Sequence, residues 1–241
     1  MGKQGTSRNP RRQGKGAKLR IDIVTLFPDF FTTPLAESIL KRAQEKGLVK
    51  ICLHRLRDYT HDRHQTVDGK PFGGGAGMVL KPEPIFECIE TIRNSGWVVL
   101  LDARGEPLTQ KMAEKLRRKR HLILIAGHYE GVDYRIHEHL VDQEISIGDF
   151  VTMGGEAPIL CLVEAVVRLV PGVLGNRDSL THESFHQGVL EYPQYTRPRK
   201  YRGWEVPKVL VSGNHQEVRR WRSEAARKLT RERRPDLLSR D

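Results

Sequence analysis

Three short segments of this 241-residue chain place chemically capable residue types close together: Leu101-Asp102-Ala103-Arg104-Gly105, then Ala126-Gly127-His128-Tyr129-Glu130-Gly131-Val132-Asp133, then Ile145-Ser146-Ile147-Gly148-Asp149-Phe150-Val151-Thr152-Met153-Gly154-Gly155-Glu156. Each combines carboxylates, which can orient a polar ligand, with glycines, which let the backbone approach it closely. Each also leaves a short aliphatic run that reads as a strand. Ligands of open parallel α/β sheets bind outside the carboxyl ends of the strands, so the three segments define one candidate pocket. Ordinary strand-to-helix turns are the competing explanation. Against it, Gly154-Gly155 and Ile147-Gly148-Asp149 hold more glycine than a turn needs.

A fourth segment, Phe72-Gly73-Gly74-Gly75-Ala76-Gly77-Met78, could bring backbone amides against a phosphate or a nucleobase. No Gly-Lys-Ser/Thr follows, so it is not a nucleotide-binding P-loop, and a tight turn without a ligand is the alternative. Just before it, His61, Arg63 and His64 have no Cys/His cluster around them, which favours loop anchoring or contact with a polyanion over a metal site.

The elements that must position these segments follow from periodicity. Leu19 to Phe27 alternates as a strand and stops at Pro28; a helix is expected from Pro34 to Lys46, closed by Gly47; a strand follows over Val49 to Leu56. The long connection 57–82 is rich in Gly, His, Asp and Pro, and such loops in compact domains are usually functional. Then come helix 83–94, strand 97–101, helix 107–119, strand Leu122–Ala126, a helix near 133–140, a short strand near 144–147 and helix 156–169. Strands alternating with helices predict an α/β fold with a mostly parallel sheet covered on both faces. We expect a basic tail over 1–18, a catalytic domain over 19–170, a flexible linker over 171–188 and a basic helical domain over 189–241.

Charge divides along the same boundaries. The formal net charge is +11, with +7 in residues 1–20, +8 in residues 197–241 and −4 in between. A slightly acidic body between basic ends suits a catalytic unit that holds a polyanion through its phosphates. The tail can equally serve solubility, whereas Arg219, Arg220, Trp221 and Arg222 interleave cations with an aromatic in a helical stretch, which points to nucleic-acid contact. The longest apolar runs, 122–126 and 157–163, fall far below the roughly 20 residues of a spanning helix. The basic N-terminus leads into no apolar core of a secretory signal, so cytoplasm is the expectation. Cys52, Cys88 and Cys161 are too widely spaced for a zinc site and odd in number, as buried thiols would be.

The motifs GHYEGVD, SIGDFVTMGGE, YTHDRHQTVDGKPFGGGAGM, PGVLGN and YPQYTRPRKYRGWEVPKVLVSGNHQEVRRWR resemble, in order and over 19–238, the bacterial tRNA (guanine-N1)-methyltransferases of position 37, members of the SPOUT methyltransferases. The resemblance implies a trefoil-knotted α/β domain with a small helical C-terminal domain, a homodimer with active sites at the subunit interface, and S-adenosylmethionine bound bent in the knot. It implies a cofactor pocket walled by Leu101, Asp102, Ala103, Gly127, Tyr129, Glu130, Gly131, Ser146, Ile147, Gly148, Phe150, Gly154, Gly155 and Pro158, and tRNA contacts from His61, Arg63, Gly73, Gly74, Gly75, Arg219, Arg220 and Arg222. Asp102-Ala103 departs from the family's more familiar Ser-Pro or similar pair, and the chain ends soon after Leu238.

Guanine N1 carries a proton that must leave as a methyl group arrives, so the reaction needs a general base and a cation near O6. The resemblance places the base in the linker, where the family has Asp before Ser-Phe and this chain has Glu183 before Ser184-Phe185; Asp178 is the alternative. Arg168 matches the cation. Glu130 could hold the guanine or a Mg²⁺, which the family implies without a clear site. A SPOUT enzyme for another RNA would share the three loops but lack the matched linker and basic tail. A non-catalytic RNA-binding relative would not need Arg168 and a linker carboxylate.

Overall fold

The computed structural model describes residues 18–175, 183–185 and 188–238. The chain divides into two compact units between Leu174 and Gly175.

The first unit runs β1 (Leu19–Thr25), α1 (Asp29–Leu35), α2 (Ser38–Glu45), β2 (Val49–Arg55), β3 (Asp68–Gly69), β4 (Val79–Leu80), α3 (Pro82–Ile92), β5 (Trp97–Pro107), α4 (Gln110–Arg117), β6 (His121–Ala126), α5 (Tyr134–His139), β7 (Gln143–Ser146) and α6 (Glu156–Val167). Five strands form one sheet in the order β2-β1-β6-β5-β7, every pair parallel. Parallel sheets are covered on both faces, and the core accordingly splits in two. Phe31, Leu40, Leu116, Ile159, Leu162 and Val166 pack α1, α2, α4 and α6 on one face. Ile85, Cys88, Ile89 and Ile136 pack α3 and α5 on the other. Residues on successive strand positions alternate between these layers, as Ile21 and Ile23 against Val24 show. Burial of each such side chain is worth about 1.5–3 kcal/mol.

Two expected elements are corrected. The helix expected over Pro34–Lys46 is two helices: α1 starts at Asp29 and ends over Ala36, and Ser38 opens α2 with φ 47°. Pro34 sits inside α1, and the break lets Phe31 and Leu35 enter the core on α1 while Leu40 and Ala43 enter on α2. The strand expected over 97–101 continues to Pro107. Leu101 and Glu106 both pair with Ile145, so residues 102–105 bulge out of the ladder before the strand resumes. Gly47 closes α2 with φ 63°, as expected of a helix terminus.

Asp22, in the middle of β1, is fully buried. It accepts from Arg20 Nε at 2.6 Å, His54 Nε2 at 2.7 Å and His121 Nε2 at 2.5 Å. Burial opposes ionisation, but hydrogen bonds from His54, Arg20 and His121 outweigh it and hold the carboxyl well below the usual carboxylate range.

The second unit contains a two-stranded antiparallel hairpin, β8 (Lys200–Tyr201) and β9 (Trp204–Glu205), and one long helix, α7 (His215–Arg233). Asn214 caps α7 by accepting from the backbone N–H groups of Gln216 and Glu217. Among the described residues no helix is long and apolar enough to cross a membrane.

Candidate active site

The bulge of β5 and the loops after β6 and β7 line one cavity of about 260 Å³. Every residue expected to wall the cofactor pocket lines it except Gly148. Gly148 shapes the turn instead: its N–H donates to Ser146 Oγ at 3.2 Å, and its carbonyl accepts from Ser146 Oγ at 3.0 Å and from the Phe150 N–H at 2.9 Å. The walls are also built by Arg104, His128, Ile145, Val151, Thr152 and Met153.

The loops are clamped together by backbone. The Gly155 N–H donates to the Gly127 carbonyl at 2.7 Å, and His128 and Gly154 form an antiparallel bridge. A Cβ on Gly155 would stand 2.8 Å from Ala126 Cα and Gly127 N, so only glycine permits this approach. Beneath the clamp lies Glu156, buried at the start of α6, which accepts from Thr25 Oγ1 at 2.8 Å. Its other oxygen is 3.8 Å from His128 Nδ1, a buried nitrogen with no hydrogen-bond partner among the described residues.

The glycine-rich loop adjoins the cavity. The Glu130 N–H donates to the Met78 carbonyl at 3.0 Å, the Leu80 N–H donates to the Gly131 carbonyl at 3.0 Å, and the Glu130 side chain lies against Gly77. Gly73, Gly74 and Gly75 are exposed beside it, each with positive φ. In the preceding turn Asp62 accepts from Thr66 and His64, and the Thr66 hydroxyl holds its carboxyl below the usual range. His61 is exposed and paired with Glu87 at 2.7 Å; Arg63 is exposed.

Arg168 follows α6 as its C-terminal cap residue. Glu183 belongs to the second unit, where it lines a cavity of about 580 Å³ with His215, Arg219, Arg222 and Arg227. Asp178 lies outside the described residues. On α7, Arg219 is exposed, Arg220 pairs with Glu224 at 2.8 Å, and Arg222 lies over the Tyr192 ring at 4.9 Å. Arg222 also borders a second cavity of about 470 Å³, together with Tyr195, Arg197 and Arg199. Among the described residues no three His, Cys, Asp or Glu side chains gather as a metal site.

Sequence reasoning missed His128 and Arg104 as wall residues. Both sit inside the glycine-bearing segments at the strand ends, and their polarity there was the available signal.

Residues 19–240 match the family model described as tRNA (guanine-1)-methyltransferase TrmD. The chain is 57% identical over 221 residues to a tRNA (guanine-N(1)-)-methyltransferase of Dictyoglomus turgidum, covering 91% of this chain and 90% of that protein. Proteins of the same name from Geobacillus kaustophilus and Gloeobacter violaceus are each 53% identical over 223 residues, covering 91% of this chain and 91% and 98% of theirs.

Proposed function

The chain belongs to the tRNA (guanine-1)-methyltransferase family, and on that premise we propose that it transfers a methyl group from S-adenosylmethionine to N1 of guanine 37 in tRNA, preferring a preceding guanine. The observation that carries this reading is the match across both units, combined with a cavity at the strand ends walled by the expected loops. Apolar walls from Leu101, Ile145, Ile147, Met153 and Pro158, edged by backbone polar groups, suit an adenosyl group.

In the reaction the methyl–sulfur bond breaks as the N1–carbon bond forms. The N1 proton passes to a carboxylate, and negative charge gathering on O6 meets a cation. Glu183 is the proposed acceptor, with Asp178 as the alternative, and Arg168 the cation. Glu130, on the cavity wall, is the proposed contact for the guanine. For the Mg²⁺ that the family implies, no cluster of three His, Cys, Asp or Glu side chains is present among the described residues.

The SPOUT knot and a homodimer belong to the same reading. Val151 and Met153, 88% and 95% exposed at the cavity rim, support a subunit contact there. A tRNA substrate puts the reaction in the cytoplasm. The reading is tested by incubating unmodified tRNA transcripts with the protein and S-adenosylmethionine and mapping the product by mass analysis. N1-methylguanine that disappears in a G37-to-A transcript is the expected result, and methylation confined to N2 or N7 would overturn it.

A further inference from the structure

The bulge of β5 carries a chain of polar side chains that the proposed methyl transfer leaves unused. Arg104 donates from Nε to Asp102 Oδ1 and from Nη2 to Asp102 Oδ2, each at 3.0 Å, and its backbone N–H adds a third bond to Oδ1 at 2.9 Å. Behind it, Arg104 Nη2 lies 3.1 Å from His137 Nε2, and His137 Nδ1 lies 2.7 Å from Glu144 Oε1. A guanidinium has donors and no acceptor, so His137 Nε2 must be the accepting nitrogen. The ring proton therefore sits on Nδ1 and is donated to Glu144. The hydrogen bonds run in one direction from an exposed Arg104 through the buried His137 to a partly exposed Glu144, which is the pattern of a support holding a charged group in one pose. The His137 side chain is 3% exposed and the Tyr134 ring stacks on it at 5.2 Å. Gly105 makes the bulge possible, because any Cβ there would run into the backbone of Glu144 and Ile145.

What this support presents to the cavity is Asp102. Its side chain is 15% exposed, and it is a wall residue in the bulge of β5. The Arg104 hydrogen bonds outweigh burial and hold its carboxyl below the usual range, so it is an acceptor throughout neutral pH. The Arg104 backbone N–H and Nε take both lone pairs of Oδ1, whereas Oδ2, which accepts only from Nη2, keeps one. A ribose offers two neighbouring O–H donors, and an acidic residue beyond a strand of a parallel sheet is a common partner for such a diol.

We propose that Asp102 Oδ2 accepts a hydrogen bond from a ribose hydroxyl of the adenosyl donor, and that Arg104, His137 and Glu144 are positioning residues that hold the carboxylate in place. The proposal rests on the reading that this cavity takes S-adenosylmethionine. The test measures binding of S-adenosylhomocysteine, adenosine, 2′-deoxyadenosine and 3′-deoxyadenosine to the full chain by ligand-observed NMR. Hydrogen bonds to a charged group predict that the unmodified chain prefers adenosine to at least one deoxy analogue by about ten- to a hundredfold. Asp102→Ala brings that ratio close to one. His137→Leu lowers it severalfold, and His137→Gln restores it, since its amide oxygen can accept from Arg104 while its amide nitrogen donates to Glu144. A merely structural role would weaken all four ligands alike and leave the ratio where it was, and that result in Asp102→Ala would overturn the proposal. Failure of the unmodified chain to bind S-adenosylhomocysteine would instead remove the cofactor reading and the ribose assignment with it, whereas S-adenosylhomocysteine binding without ribose discrimination would remove the assignment alone.

Discussion

Replacing Asp22 by Ala takes one carboxylate from the middle of β1 and strands the donors gathered around it. His54 and His121 have side chains only 17% and 11% exposed, so each loses a hydrogen bond that water replaces poorly, at about 1–3 kcal/mol apiece. Arg20, 38% exposed, can turn to solvent and adds little. Together these come to about 4 kcal/mol, within the roughly 3–5 kcal/mol typical of breaking one side of a buried pair. For a chain of this size a loss of that order lowers Tm by about 8–16 °C. The assay is thermal and urea unfolding of the full chain followed by circular dichroism. The sign of the pH dependence follows from the lowered carboxyl pKa: the stabilisation is present above the unfolded value of about 3.9 and is lost as pH falls towards the folded one. The stability difference between the unmodified chain and Asp22→Asn should therefore be largest at neutral pH and shrink below about pH 4. A loss under about 1 kcal/mol at pH 7, or a difference that grows on acidification, would refute the reasoning.

Gly155→Ala should leave the fold intact by circular dichroism while weakening S-adenosylhomocysteine binding at least tenfold, because the added methyl can be accommodated only by parting the two loops that wall the cavity; unchanged calorimetric affinity would contradict this. Glu183→Gln should lower single-turnover methylation by about 10² to 10⁴ with cofactor binding spared. Glu183→Asp should keep much of the activity and Asp178→Asn should be mild; abolition by Asp178→Asn alone would move the base to Asp178. Replacing Arg219, Arg220 and Arg222 by Ala should weaken tRNA binding and flatten its dependence on log salt by roughly 0.7–0.9 for each phosphate that is no longer neutralised, with S-adenosylmethionine affinity unchanged; filter binding across a salt series that shows no change would exclude this helix as the RNA platform.

The strand-helix alternation, the parallel sheet and nearly all of the cavity wall were legible in the residues, because aliphatic runs, helix periodicity and glycine-bearing loops are local features and a parallel sheet brings the ends of its strands to one edge whatever their order. The same local signals misled where tertiary packing decided. Asp102 to Gly105 read as a loop because it is polar and glycine-bearing, yet β5 resumes beyond it, since Glu106 finds Ile145 across the sheet. The helix expected from Pro34 divides because the core claims Phe31 and Leu35 on one axis and Leu40 and Ala43 on another. Asp22 carried no sequence signal at all: its partners His54 and His121 stand 32 and 99 residues away and meet it only because β2 and β6 flank β1. Arg104, His137 and Glu144 are joined in the same way. A polar residue's role depends on which distant strand the fold sets beside it, and that order is a property of the whole sheet, absent from any window of sequence.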